Sequence, residues 1–173
     1  MTLKIATRFS KLALAQVDEF VSEYNISDFK IIKIKTEGDV KSAKGDTLFD
    51  KAHFVTDIQK SILRGDADIA VHSAKDTPAK KTNGIERDFI LSRSSKDVLV
   101  FKDNNNFDSC MRLGTSSLRR KLQAFHFLKS SNIIDINGNV DTRLEKLYRG
   151  DYDCIILAKA GLERLRLLDE LNY

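Results

Sequence analysis

Long apolar runs are missing from this chain. None approaches the roughly 20 residues that a membrane-spanning helix needs, and Met1-Thr2-Leu3-Lys4-Ile5 enters an apolar strand with no signal-peptide core. The expectation is a cytoplasmic protein without a membrane partner. Cysteine is scarce too: Cys110 and Cys154 form no CxxC and have no metal-type spacing to His53, His72 or His126. They read as free thiols, and no metal site is expected. Neither Gly45 nor Gly65 opens a GxGxxG or GxxxxGK[ST] phosphate loop, and no Gly-x-Ser-x-Gly elbow surrounds Ser73, Ser116 or Ser117. Internal repeats, low-complexity segments and a helix-turn-helix stretch are absent as well, which argues against a regulator's ligand domain. A surplus of either charge is small, 29 Lys and Arg against 25 Asp and Glu for a net +4, so bulk charge gives no reason to expect a nucleic-acid partner.

What is present suits a folded α/β protein. The 173 residues are 42% hydrophobic and 31% charged, enough for one large or two small domains with real cores. Short β-branched runs alternate with helix-period segments. Strands are expected at Lys4–Thr7, Lys30–Thr36, Ala67–Val71, Phe89–Leu91 and Val98–Phe101, with helices over Leu12–Tyr24 and through Phe54, Ile58 and Ile62 to Gly65. The polar stretch Lys102–Cys110, with Asn104, Asn105 and Asn106 in a row, reads as a linker. Beyond it the pattern restarts: a strand to Gly114, helix Leu118–Leu128, strand Ile133–Ile136, helix Thr142–Tyr148, strand Cys154–Leu157 and helix Leu162–Leu171. Alternation of this kind implies mainly parallel sheets flanked by helices. Two such blocks imply two lobes, residues 1–102 and 103–173, with a cleft between them.

Four strand-to-helix or strand-to-loop junctions carry polar groups of one kind: Thr7-Arg8-Phe9-Ser10, His72-Ser73-Ala74-Lys75-Asp76, Gly114-Thr115-Ser116-Ser117-Leu118-Arg119-Arg120, and Gly138-Asn139-Val140-Asp141-Thr142-Arg143. In open α/β sheets ligands gather at the carboxyl ends of strands, where these junctions fall. The third stands out. Arginine in the first turn of a helix opposes the helix dipole, so a pair after Thr-Ser-Ser calls for a reason. An anionic ligand supplies one, since guanidinium binds carboxylate through two parallel hydrogen bonds; solvated surface charge is the equal alternative. Taken alone, His72 reads as a hydrogen-bonded structural residue and Asp76, before Thr77-Pro78, as a turn former.

Together these segments resemble the signature stretches of the porphobilinogen deaminase (hydroxymethylbilane synthase) family, in the family's order. They are Ile5–Gln16, Thr36-Glu37-Gly38-Asp39, Ala67–Pro78, Gly114–Arg120, Gly138–Leu144 and Tyr152–Leu162. The resemblance covers essentially the whole chain. It implies two lobes like those of periplasmic anion-binding proteins, and a transferase of tetrapyrrole (haem) biosynthesis that joins four porphobilinogen units into hydroxymethylbilane with release of ammonia. Each pyrrole carries an acetate and a propionate, so the resemblance makes Arg8, Lys75, Arg119, Arg120 and Arg143 the basic lining of the cleft. Ser10, Ser73, Thr115, Ser116 and Ser117 add donors, Phe54 lies beside the pyrrole rings, and Asp76 is the catalytic carboxylate.

Three departures qualify this. Asn137 stands where the family has an arginine before Gly-Asn-Val, Glu37 replaces the arginine of Thr-Arg-Gly-Asp, and the sequence ends at Tyr173. The family continues into a third domain whose cysteine holds a dipyrromethane primer, and neither Cys110 nor Cys154 lies in that context. The expectation is therefore the substrate- and dipyrromethane-binding lobes without the attachment domain, either monomeric or paired with a C-terminal part. The alternative is a lobe pair that only binds carboxylated pyrroles or other anions.

Overall fold

A computed structural model describes residues 1–43, 54–89, 94–103 and 106–173. The chain divides into two compact units, Met1–Ser92 and Arg93–Tyr173.

The first unit is a three-stranded parallel sheet in the order β2-β1-β3. β1 (Leu3–Arg8) runs in register with β2 (Phe29–Ile34) from Leu3–Phe29 to Arg8–Ile34, and meets β3 (Ile69–Ala70) at Ile5 and Ala6. α1 (Lys11–Glu23) connects β1 to β2. It starts where Ser10 takes an extended backbone and its Oγ accepts the Ala13 N–H, and it buries Ala13 and Val17. α2 (Glu37–Ala43), which the alternating pattern of Lys30–Thr36 gave no reason to expect, begins directly after that strand. α3 (Thr56–Leu63) buries Ile58, which packs with Ala6 and Ala67 in this unit's core. Exposed lysines, Lys30 and Lys33, mark β2 as an edge strand guarded against further pairing. After β3 a short 3-10 turn, Ala74–Asp76, replaces regular helix.

The second unit contains a four-stranded sheet in the order β4-β7-β5-β6. β5 (Leu113–Gly114), β6 (Ile133–Ile134) and β7 (Cys154–Ala158) are parallel, linked by α4 (Leu118–Phe127) and α5 (Val140–Arg149). β7 is central and nearly continuous in burial, as an apolar run covered on both faces requires. α5 ends at Gly150, whose left-handed φ of 93° closes the helix, with Lys146 and Arg149 in the last turn, where cations suit the dipole. Two clusters hold this unit, one around Ile136, Leu147, Ile155 and Leu162, the other around Leu113, Ala124 and Cys154.

Three sequence expectations are corrected. β4 (Asp97–Phe101) is antiparallel to β7, with Asp97 opposite Ala158 and Phe101 opposite Cys154. A strand assigned to the first lobe by a boundary at residue 102 thus belongs to the second sheet, which moves the division to Ser92/Arg93. The expected strand Phe89–Leu91 is not seen at Phe89, and Ile90 and Leu91 lie outside the described residues, as do Asn104 and Asn105 of the linker, Gly45 and His53. The last helix begins earlier, as α6 (Lys159–Arg164), and breaks at Arg166 with φ of 55°, before a 3-10 turn at Leu168–Glu170. Leu162 lies in the core, and beyond the break Leu167, Leu168 and Leu171 pack against the same cluster. Among the described residues no helix is long and apolar enough to cross a membrane, and no group of three or more His, Cys, Asp or Glu could hold a metal ion.

Candidate functional site: polar strand ends in each unit

Parallel pairing brings the polar junctions of the first unit to one end of its sheet. Arg8 is the last residue of β1, and its Nε donates to Asp39 Oδ1 at 3.0 Å while Nη2 forms a closer ion pair with the same oxygen. Asp39 is buried and its other oxygen accepts from the Thr36 amide at 3.1 Å and the Thr36 hydroxyl at 2.7 Å. Burial alone would raise this carboxyl; the Arg8 and Thr36 hydrogen bonds outweigh it and hold Asp39 below its ordinary value. The Arg8 guanidinium also lies 4.3 Å from the centre of the Phe54 ring. Gly38 permits that ring to sit where it does, because a Cβ there would fall 2.6 Å from it. The Thr36-Glu37-Gly38-Asp39 segment therefore orients Arg8 and Phe54. Sequence reasoning quoted the motif without giving Asp39 this task.

Ser10 is buried, with its hydroxyl engaged in the α1 cap. Past β3, the Thr7 hydroxyl donates to the Val71 carbonyl at 2.9 Å, tying the outgoing chain to β1. Ser73 and Gln16 exchange side-chain hydrogen bonds at 2.9 and 3.2 Å. The His72 Nδ1 lies 3.3 Å from the Thr77 hydroxyl and 3.4 Å from the Ser73 carbonyl. Burial pushes His72 below the usual imidazole value, and the Arg87 charge adds to it against the raising effect of Ser73 and Asp76. Burial therefore favours the neutral form of the His72 ring, which lies among hydrogen-bonding neighbours. Lys75 is exposed on the 3-10 turn. The Asp76 amide donates to the Ser73 carbonyl at 3.0 Å, but among the described residues its half-exposed carboxylate is engaged by no hydrogen bond or ion pair.

In the second unit the hydroxyls after β5 are largely engaged. Thr115 is buried and its Oγ1 accepts the Ser117 amide at 3.3 Å. Ser116 Oγ donates to the Ile136 carbonyl and accepts the Ile136 amide, both at 2.9 Å, joining the ends of β5 and β6, and it also donates to Asn137 Oδ1 at 3.3 Å. Asn137, at the departure from the family pattern, is thereby part of this bridge. Ser117 is the N-cap residue of α4.

The arginine pair of α4 meets an acid from its own unit. Asp97, at the start of antiparallel β4, is brought to the carboxyl end of β7 by the Asp97–Ala158 register. Its Oδ2 pairs with Arg119 at 2.8 Å and its Oδ1 with Arg120 at 2.7 Å. Burial would raise Asp97, and Arg120 and Arg119 together bring it below the ordinary value. Arg119 is more than half exposed and also donates to Gln123 at 2.7 Å, whereas Arg120 is 14% exposed and donates to the Ile156 carbonyl at 3.2 Å. Nothing in the sequence marked Asp97, because its partners lie on another element. Arg143 donates from Nε to the Gly138 carbonyl at 2.7 Å. Burial and then the neighbouring Arg120 charge push its guanidinium below the usual range. Arg120 is thus the buried guanidinium that Asp97 pairs, Arg143 beside it is held by a carbonyl alone, and Arg120 Nε is buried with no partner among the described residues. That local excess of desolvated positive charge is suited to carboxylate groups of a ligand.

The family model described as "Porphobilinogen deaminase, dipyromethane cofactor binding domain" matches residues 3–173. This chain belongs to the porphobilinogen deaminase family. It is 40% identical over 179 residues to the porphobilinogen deaminase of Francisella tularensis subsp. holarctica, covering 98% of this chain and 59% of that protein. It is also 39% identical to the probable porphobilinogen deaminase of Ignicoccus hospitalis and 37% identical to the porphobilinogen deaminase of a Nitratiruptor species, with 96% and 100% of this chain covered. The chain spans about three fifths of the length of these relatives, 58–59% in each case. The family's domain description names a dipyrromethane cofactor, and the underneutralised Arg120–Arg143 pair fits a group of that chemistry, a carboxylated pyrrole.

Proposed function

We propose that this chain carries the substrate- and dipyrromethane-binding part of a porphobilinogen deaminase, a cytoplasmic transferase that condenses porphobilinogen into hydroxymethylbilane. The observation that carries the proposal is Asp76: in a chain of this family, it presents a carboxylate with no hydrogen bond or ion pair among the described residues, just beyond the carboxyl end of a parallel strand. The first unit supplies the Asp76 loop with Arg8, Ser10, Phe54, Ser73 and Lys75. The second supplies Thr115, Ser116, Ser117, Arg119, Arg120 and Arg143.

In each condensation the C–N bond of an aminomethyl group breaks and ammonia leaves. A C–C bond to the next pyrrole then forms, and that pyrrole's α-carbon gives up its proton. Charge develops on the pyrrole losing ammonia, and a fixed carboxylate beside its N–H stabilises that charge, which is the role of Asp76. Within the second unit Arg120, Arg143 and Arg119 are suited to hold acetate and propionate groups; within the first, Lys75 and Arg8 are suited to groups of the same kind, with Arg8 held by Asp39. Bound dipyrromethane supplies the chain end to which the pyrroles are joined, and Arg120 and Arg143 are the residues suited to hold its carboxylates.

The test is to express the protein from its complete reading frame, supply porphobilinogen, and measure ammonia release and bilane formation for the parent and for Asp76→Asn. Release in the parent and its loss in the variant are expected. Binding of porphobilinogen without ammonia release in the parent would leave the anion-binding alternative; no binding at all would remove both.

A further inference from the structure

Asp76 stands beyond a short strand. β3 covers Ile69 and Ala70, flanked by the Asp68 and Val71 amides that donate to the Lys4 and Ala6 carbonyls at 2.9 and 3.0 Å, and the chain then passes through a three-residue 3-10 turn, whose hydrogen-bond geometry is poorer than that of an α-helix. The segment beyond it is nevertheless pinned. The Thr82 hydroxyl donates to Gln59 Oε1 at 2.9 Å, and Gln59 is buried on α3. Gly84 turns the chain with a left-handed φ of 79° against the Leu63 side chain. Past this turn Arg87 reaches back, with Nη1 donating to the Pro78 carbonyl at 2.7 Å and Nη2 to the Lys80 carbonyl at 2.6 Å. Its Nε is buried with no hydrogen-bond partner among the described residues.

We infer that Arg87 is a positioning residue for Asp76: its guanidinium bridges the Pro78 and Lys80 carbonyls and so fixes the segment that leads out of the turn carrying the carboxylate. Pro78 lies two residues past Asp76 and has no N–H with which to anchor itself, so its backbone is held through the carbonyl, next after the Thr77 amide that closes the turn onto the Ala74 carbonyl. A planar fork with two donors in fixed geometry holds two carbonyls at one spacing, which a single ammonium cannot do. The Arg87 charge also reaches the His72 ring on the other side of the turn, so one side chain bears on both ends of the segment. The kinetic part of this inference rests on the proposed function; the geometric part does not.

Arg87→Met keeps the apolar stem and removes both donor nitrogens, and Arg87→Lys keeps the charge on a single donor nitrogen. In the protein from the complete reading frame, Arg87→Met is expected to lower kcat for porphobilinogen by about tenfold or more with KM within about twofold, the mark of a displaced catalytic group. Amide exchange at Thr77, Ala79 and Lys80 should quicken while β1 stays protected, with Arg87→Lys intermediate in both measurements. Unchanged exchange in that segment overturns the inference. Faster exchange with unchanged kcat also overturns it, because Arg87 would then be structural only. Should Arg87→Met fail to fold, the same comparisons on Arg87→Lys decide. If the parent releases no ammonia, the proposed function falls and the exchange data alone decide for or against Arg87.

Discussion

Asp39 and Asp76 are carboxylates beyond the ends of strands in one parallel sheet, yet their surroundings assign them different work. Asp39 is buried and saturated by Arg8 and Thr36, so it holds its neighbours. Asp76 has no such partners among the described residues and is available to a cation of the kind the proposed reaction forms. Asp76→Ala should therefore cost about 10²–10³ or more in the rate of bilane formation, with circular dichroism and melting temperature close to the parent's; near-normal turnover would remove Asp76 from the mechanism. The cysteines differ as sharply. Cys154 is buried in the middle of the sheet, and that burial pushes its thiol up to about 12, whereas Cys110 is exposed. Because the thiolate is the reactive form, iodoacetamide at pH 8 should alkylate Cys110 in the folded protein and reach Cys154 only after denaturation, as read by intact mass.

Between β2 and α3, Gly38, Asp39 and Phe54 act as one unit with Arg8. Replacing Asp39 with Asn leaves a largely buried guanidinium without its counter-charge, at a cost of roughly 3 kcal/mol in unfolding free energy. The pH dependence has a definite sign. Asp39 is held below its ordinary value of 3.8, so its contribution is complete above that value and disappears as pH falls through the lower, folded one. Urea unfolding of parent and Asp39→Asn should therefore differ fully at pH 7 and converge below about pH 4. A constant gap across that range would show that the pair contributes through packing rather than charge. Gly38→Ala tests the same element sterically. A Cβ 2.6 Å from the Phe54 ring must displace it, and the Arg8–Phe54 contact should weaken even though Ala favours helix.

At the scale of the molecule, the two units share one winding: the first parallel strand lies between the second and third, β2-β1-β3 in one and β6-β5-β7 in the other. The second adds antiparallel β4, which delivers Asp97 to the arginines of α4. This makes Arg119 and Arg120 unequal. Arg120→Ala removes a buried donor to both Asp97 and a β7 carbonyl, so it should weaken binding of multi-carboxylate pyrroles by roughly 1.5–3 kcal/mol and also lower stability. Arg119→Ala, at a half-exposed side chain, should weaken binding less and leave stability nearly unchanged. Calorimetric titrations at rising salt should show affinity falling for the parent; parent-like binding by both variants would put the basic surface elsewhere.

Local pattern determined much of this. Alternation and helical period located β1, α1, β2, α3, β4, α4, α5 and β7 to within a few residues, since such periods are set by the local backbone. The six motifs, with Asp76 and the arginines among them, were likewise legible one after another along the chain. Tertiary structure decided what depends on strands meeting across the sequence. The direction of β4 and its unit are set by hydrogen bonds to β7, more than fifty residues later. Asp39 and Asp97 acquired their roles only from the arginines that folding brought to them. Arg87 was one more surface charge in the sequence and became a bridge between two carbonyls once the chain turned at Gly84. A sequence fixes the periodicity of each element, because that is a property of neighbours. The partner of a charge is a property of the space between elements, and folding alone creates that space.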